Sequence, residues 1–267
     1  MREGNIETVD SFSPEVSARV RHGEHVMGTV ISFDVPVGAR ADGSLDAAIR
    51  WLHWVDRVFS PYRDDSDVTL LARAETTVEA CAPEVGEVLA ACAHLRELSG
   101  GYFTSSPGGR LDPSGYVKGW AVERAASILT AAGSANHLVN GGGDVQAVGG
   151  RAAGEGWRVG IASPFRAGSL ALVVSGRDVA VATSGMAERG AHIVDPLSGL
   201  PAAGLASVTV AGPRLSWADA YATAAFAMGP DRARTWTESL DGYEAYAILP
   251  DGTTWQTAGF AQYIPDN

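Results

Sequence analysis

Leu138 to Val148 reads LVNGGGDVQAV, and the reading of its glycines decides the fold. A glycine-rich turn after a short apolar strand opens a dinucleotide-binding βαβ unit only when a helix follows it. Here the residues after Asp144 are Val145, Gln146, Ala147 and Val148, which look like a second strand. The helix is missing, so a β-hairpin with a glycine loop fits better. Main-chain N–H groups of such a loop, around Gly142 and Asp144, can surround phosphates. The simpler alternative is a tight turn that needs positive φ.

Upstream lies LDPSGYVKG, Leu111 to Gly119, directly ahead of the apolar-periodic run Val117 to Leu129. Asp112 and Ser114 are good helix caps, and a helix start presents unpaired N–H groups and a positive dipole end. Gly115 lets backbone approach a ligand, and Lys118 adds a cation. Together they make a polyanion site or an ordinary capped helix. This helix is expected to run from about Tyr116 to Ala132, stopped by Gly133. Two more helices are expected over 42–59 and 83–98, the first from Leu45, Ile49, Leu52, Val55 and Val58 at helical spacing. Residues 19–37 alternate as a strand pair broken near Gly28. The Met27-Gly28-Thr29 step is a bend where a ligand could rest on Met27, although core packing is the commoner use of such a Met. Tyr62 and Arg63 sit on the loop FSPYRDDSD, either against a ring or phosphate or simply solvated.

Downstream, strands are expected at 157–162, 169–175, 178–183 and 206–211, and a final hairpin at 244–249 and 253–258. Between them Ser216 is expected to cap the helix SWADAYATAAFAM, which ends at Gly229. In this helix Asp219 and Thr223 are four residues apart and share a face. A carboxylate and a hydroxyl one turn apart can hold a hard cation such as Mg²⁺, or they make an internal hydrogen bond in a buried helix. His192 and Asp195 flank a short apolar step, and a lone His is usually structural. Strands outnumber crossover-sized helical units in the second half. The expected architecture is therefore α+β: a loose tail over 1–18, then one domain over 19–267 with mixed or antiparallel sheets packed by helices.

Composition narrows the classes. The 267 residues are 46% hydrophobic and 19% charged, ordinary for a globular core, with a formal net charge of −11. That balance argues against a nucleic-acid or anionic-membrane binder, though not against a small cationic pocket. The two cysteines, Cys81 and Cys92, match no metal or redox spacing. The stretch MREGNIETVDSFSPEV has no apolar core, cleavage box or lipidated Cys, and no apolar run is long enough to span a bilayer. The expectation is a soluble, cytoplasmic protein without membrane insertion.

Taken together, the blocks form an ordered pattern. VMGT at 26–29, FSPYRDDSDVTLL from Phe59, GGYF at 100–103, LDPSGYVKGWAVERA from Leu111, LVNGGGD from Leu138, TSG at 183–185, HIVDPLSGLP from His192, SVTV at 207–210 and ADAYAT from Ala218 follow one another. In this order they resemble the ApbE family, the FAD:protein FMN transferases.

The resemblance implies an enzyme that uses Mg²⁺ and FAD to join FMN, through a phosphoester, to a Thr or Ser hydroxyl of a target protein, releasing AMP. It implies that Met27 and Tyr62 pack near the flavin or its adenine. Tyr102, Phe103 and Thr104 form another FAD-contact block, Asp112 and Lys118 contact FAD in the central motif, and Ile193 contacts it in the HIVDP motif. Gly115 would offer its carbonyl oxygen to the metal, and Asp219 and Thr223 their side chains. His192 is the candidate for activating the acceptor hydroxyl. Three positions depart from the family pattern. Thr104 stands where Asp is usual, Arg73 where Asn is frequent, and the linker from Phe103 to Leu111 is shorter by several tens of residues. Two other readings compete: an FAD pyrophosphatase, which would use the same metal site with water as acceptor, and a non-catalytic flavin carrier, which would require a defective metal pair.

Overall fold

A computed structural model describes residues 18–152, 154–185 and 193–265. The first seventeen residues and His192 lie outside the described residues. The chain begins with a hairpin, β1 (Arg19–Val26) and β2 (Thr29–Pro36). Its two-residue turn has positive φ at both Met27 (53°) and Gly28 (69°), which matches the twist of the strands. Helices α1 (Val37–Ala41), α2 (Ser44–Phe59), α3 (Asp67–Ala72), α4 (Pro83–Leu98) and α5 (Ser114–Ala131) follow. The glycine stretch then forms the expected hairpin, β3 (His137–Gly141) and β4 (Asp144–Val148). Next come β5 (Trp157–Ala162), β6 (Leu170–Gly176), β7 (Ala180–Gly185) and β8 (Ser207–Gly212). The chain closes with α6 (Leu215–Met228), α7 (Pro230–Thr237), β9 (Glu244–Ile248) and β10 (Thr254–Gln256).

Eight strands form one sheet in the order β1-β2-β3-β4-β7-β8-β9-β10, and every neighbouring pair is antiparallel. Such an order needs only hairpins and excursions, not right-handed crossovers. Strands β5 and β6 pair separately. The period-2 alternation then sorts side chains onto two faces. Phe33, Val139, Ala180, Ala182 and Val210 meet α2, α5 and α6 through Leu52, Val122, Leu129 and Ala222. Val145, Ala147, Val181 and Ala211 point the other way and meet Trp157, Val159 and Ile161 of β5. Coverage on both sides explains why all of β8 is buried, the polar Ser207 and Thr209 included. No helix among the described residues is long and apolar enough to cross a membrane.

Two local expectations change. Ser216 does not cap α6: the N-cap is Arg214, without a side-chain cap bond, and Glu123 of α5 accepts the Ser216 N–H at 2.9 Å instead. At the start of α5 the N-cap is Pro113. There Asp112 Oδ1 accepts the Ser114 N–H at 3.0 Å and its hydroxyl, an Asx turn ahead of the helix rather than a cap on it.

Candidate active site

Helices α5 and α6 cross so closely that only glycine fits at the contact. A Cβ on Gly119 would lie 2.6 Å from the Leu215 carbonyl oxygen and 2.8 Å from Asp219 Cβ. One turn earlier, a Cβ on Gly115 would meet the Phe103 ring at 3.4 Å and Thr223 Cγ2 at 3.8 Å. The i, i+4 pair Gly115/Gly119 thus faces the i, i+4 pair Thr223/Asp219, two antiparallel helices sharing one seam. Asp219, 4% exposed, takes the Gly119 N–H on Oδ2 at 3.0 Å. In a regular helix that N–H belongs to the Gly115 carbonyl. Here it has a second, charged acceptor, so its hold on the Gly115 oxygen is shared.

The sheet brings further groups to the same place. β2 pairs with β3 at Ile31 and Gly141, which sets the Met27 and Gly142 turns side by side. Gly142 needs its glycine: φ is 62°, and a Cβ would lie 2.9 Å from Thr29 Oγ1. Asn140 Oδ1 accepts the Gly143 N–H at 2.8 Å and fixes the loop. Asp144, 2% exposed, opens β4 and accepts the Thr183 N–H at 3.0 Å on Oδ1. Its Oδ2 is in contact with Lys118 Nζ, and Lys118 Nζ is 3.7 Å from Asp219 Oδ1. Ser184 Oγ lies 3.5 Å from Thr223 Oγ1. The Lys118 ammonium therefore stands between two buried carboxylates.

Around this centre the other sequence candidates divide. Met27 is half-buried against the core beside the glycine hairpin, so it belongs to the same end of the sheet. Phe103 is 1% exposed, with its N–H on Ser99 Oγ at 2.9 Å and its ring seated on Gly115. Tyr62 is 94% exposed; Arg110 donates to the Pro61 carbonyl at 3.0 Å and ties its loop to the approach to α5. The short linker closes where the Asp112 N–H meets the Ser105 carbonyl at 2.7 Å. Thr104 and Ser105 line a cavity of about 530 Å³ with Cys92, Arg96 and Gly101. Burial pushes the Cys92 thiol up to about 12, so it is inert there.

Tyr102 is held from α7 by Arg232, whose Nη1 donates to the phenol oxygen at 2.5 Å with the guanidinium 5.7 Å over the ring. Ile193 packs beside Phe226 and Leu205, and its carbonyl takes the Ala202 N–H at 2.9 Å. In that loop the Ser198 hydroxyl and the Leu197 N–H hold the Asp195 carboxyl below its ordinary range. Among the described residues no group of three or more His, Cys, Asp or Glu side chains gathers to hold a metal ion. What the α5–α6 seam offers is a mixed oxygen set: one carboxylate, one hydroxyl and a backbone carbonyl. Sequence reasoning missed the part that binds this set together, the Asp144–Lys118–Asp219 row and the neighbouring Ser184, because its members come from four elements far apart in the chain.

The ApbE family model matches residues 27–108 and 104–247, nearly the whole described chain. The chain belongs to the ApbE family. An ApbE relative from Treponema pallidum, an FAD:protein FMN transferase, is 35% identical over 175 residues, 59% of this chain and 48% of that protein. The chain thus spans about half the length of that curated relative. The FAD:protein FMN transferase of Salmonella typhimurium is 26% identical over 257 residues, covering 89% of this chain and 70% of that one. The flavin transferase ApbE from Vibrio cholerae superposes with a TM-score of 0.83, at 22% identity, over 92% of this chain and 99% of that one. At that identity the likeness speaks to the ApbE fold alone.

Proposed function

We propose that this chain is an Mg²⁺-dependent FAD:protein FMN transferase, moving FMN from FAD to a Thr or Ser hydroxyl of a target protein and releasing AMP. What carries the reading is family membership joined to one observation: the α5–α6 seam sets Gly115 against Thr223 and Gly119 against Asp219. An all-oxygen donor set that includes a buried carboxylate suits a hard cation that keeps several waters. Asp219, Thr223 and the Gly115 carbonyl would hold Mg²⁺. When bound, it supplies charge neutralisation at the pyrophosphate oxygens.

The remaining work is positioning, which is most of what phosphoryl transfer asks of a protein. The Lys118 ammonium and the N–H groups of the glycine hairpin meet the non-bridging oxygens. Met27 lies beside that hairpin as an apolar support for the flavin end. The acceptor hydroxyl attacks the FMN-side phosphorus, the bond to the AMP oxygen breaks, and AMP leaves as a phosphate monoester. The hydroxyl proton goes to a base whose ordinary pKa is near neutrality, the role we give to His192.

The deciding assay incubates the protein with FAD, Mg²⁺ and a threonine-bearing flavin-acceptor protein, and reads intact mass. The expected result is an acceptor heavier by one FMN moiety, with AMP in equal amount. FMN appearing only free in solution would replace the transferase by a pyrophosphatase. FAD bound and unchanged in the presence of Mg²⁺ would leave a flavin carrier.

A further inference from the structure

Among the described residues, Lys118 lies within reach of two carboxylates, Asp144 and Asp219. An ammonium resting fully on Asp219 would neutralise it and compete with any divalent cation for the same oxygens. The structure has it closer to Asp144: Nζ is in contact with Asp144 Oδ2 and stands 3.7 Å from Asp219 Oδ1. Asp144 is well placed to keep it there. It is 2% exposed, and Oδ1 is anchored by the Thr183 N–H at 3.0 Å. Thr183 is itself fixed in the β7–β8 ladder opposite Thr209, with the two hydroxyls 2.8 Å apart. Asp144 Oδ2 makes no other hydrogen bond among the described residues, so the ammonium is its complement there. A rigid strand thus presents a carboxylate to a long flexible side chain, and the strand decides where the cation rests.

We infer that Asp144 is a positioning residue: it draws the Lys118 ammonium off Asp219, so that Asp219 can enter the shell of a divalent cation while Lys118 stands beside it. The inference rests on the reading of Asp219 as a metal ligand. It gives Asp144 a role through Lys118 rather than a direct contact with FAD. It also gives the Gly142–Asp144 hairpin a second duty, since the residue that ends the glycine loop is the one that tethers the lysine.

The test is a titration of the full chain with Mn²⁺ alone, followed by the electron paramagnetic resonance signal of free Mn²⁺. Wild type, D144N, K118M and the double variant are compared, with thermal melts as the check on folding. Outer-shell partners of metal ligands typically change affinity by about 10- to 100-fold. D144N is expected to weaken Mn²⁺ binding by that order, K118M to tighten it, and the D144N loss to shrink to a small part of itself in the K118M background. A loss of equal size in both backgrounds would reduce Asp144 to its bare charge and overturn the inference, as would unchanged affinity in D144N. Wild type that binds no Mn²⁺ at all would remove the metal reading and this inference with it. Should D144N fail to fold, a crystal structure of wild type with Mn²⁺ decides. Lys118 must remain on Asp144 and move farther from Asp219; an ammonium that leaves Asp144 overturns the inference.

Discussion

Gly119 shows how much one missing methyl group can settle. With no Cβ it lets α5 approach α6 until a backbone N–H reaches a carboxylate of the other helix. Gly119→Ala puts a methyl 2.6 Å from a carbonyl oxygen, an overpacking expected to cost about 1–3 kcal/mol. Gly86 is the control. It lies inside α4, where a Cβ would make an ordinary contact at 3.6 Å with Val78. Gly86→Ala should therefore stabilise by roughly 0.4–1 kcal/mol. Chemical denaturation of the two variants gives opposite shifts in midpoint; shifts of the same sign would contradict the tight crossing. At Asp219 the neutral isostere separates folding from chemistry. Asp219→Asn keeps an oxygen for the Gly119 N–H, so the melting temperature should hold. Metal-dependent turnover should fall by on the order of 100-fold or more, because the carboxylate charge is gone. Wild-type turnover in that variant would remove Asp219 from the reaction.

At the scale of the element, α6 is an alanine-rich helix almost wholly inside the protein, and its start is served by another helix. Glu123 of α5 accepts the Ser216 N–H at 2.9 Å and the Arg214 Nε–H at 2.8 Å. An acceptor at a helix N-terminus satisfies an orphan donor and complements the dipole. Glu123→Ala should cost about 1 kcal/mol, like the loss of an ordinary cap. It should also quicken hydrogen exchange of the first α6 amides before those of α5. Protection lost equally in both helices would show that Glu123 acts on the fold at large. Because Asp219 and Thr223 ride on α6, the same variant should loosen metal binding without touching a ligand.

For the whole molecule, pH is the informative variable. His137 is completely buried, and its ring lies 3.0 Å from the Ala126 carbonyl through Nε2 and 3.1 Å from Ser134 Oγ through Nδ1. This pairing suits the neutral ring, with Nε2–H donating and Nδ1 accepting. Burial, the largest cause, pushes its pKa down from the ordinary value of 6.5. The unfolded chain then binds a proton that the folded chain refuses, so stability rises with pH across this window. It is complete above about 6.5 and is lost as pH falls below that value. Melting temperatures from pH 7 to pH 5 should decline, and His137→Gln should flatten the part of the decline that begins just below 6.5. A variant that declines as steeply as wild type in that range would show that carboxylates alone carry the acid sensitivity.

Sequence alone determined what depends on neighbours in the chain. Alternation gave the strand pairs, the apolar step after Asp144 turned the glycine stretch into a hairpin, and the four-residue spacing put Asp219 and Thr223 on one face. Ser66 caps α3, its Oγ accepting the Thr69 N–H at 3.1 Å. Ser216 was expected to cap α6 and does not, because a carboxylate from α5, distant in sequence, reaches its N–H first. Only the tertiary structure decided that Gly119 meets Asp219 and that Asp144 shares Lys118 with it. Such contacts are made by helix crossing and sheet register, which close long loops around a common core. Local propensity carries no record of which distant side chain will stand opposite, so the charges that meet at the seam could be identified one by one but not as a row.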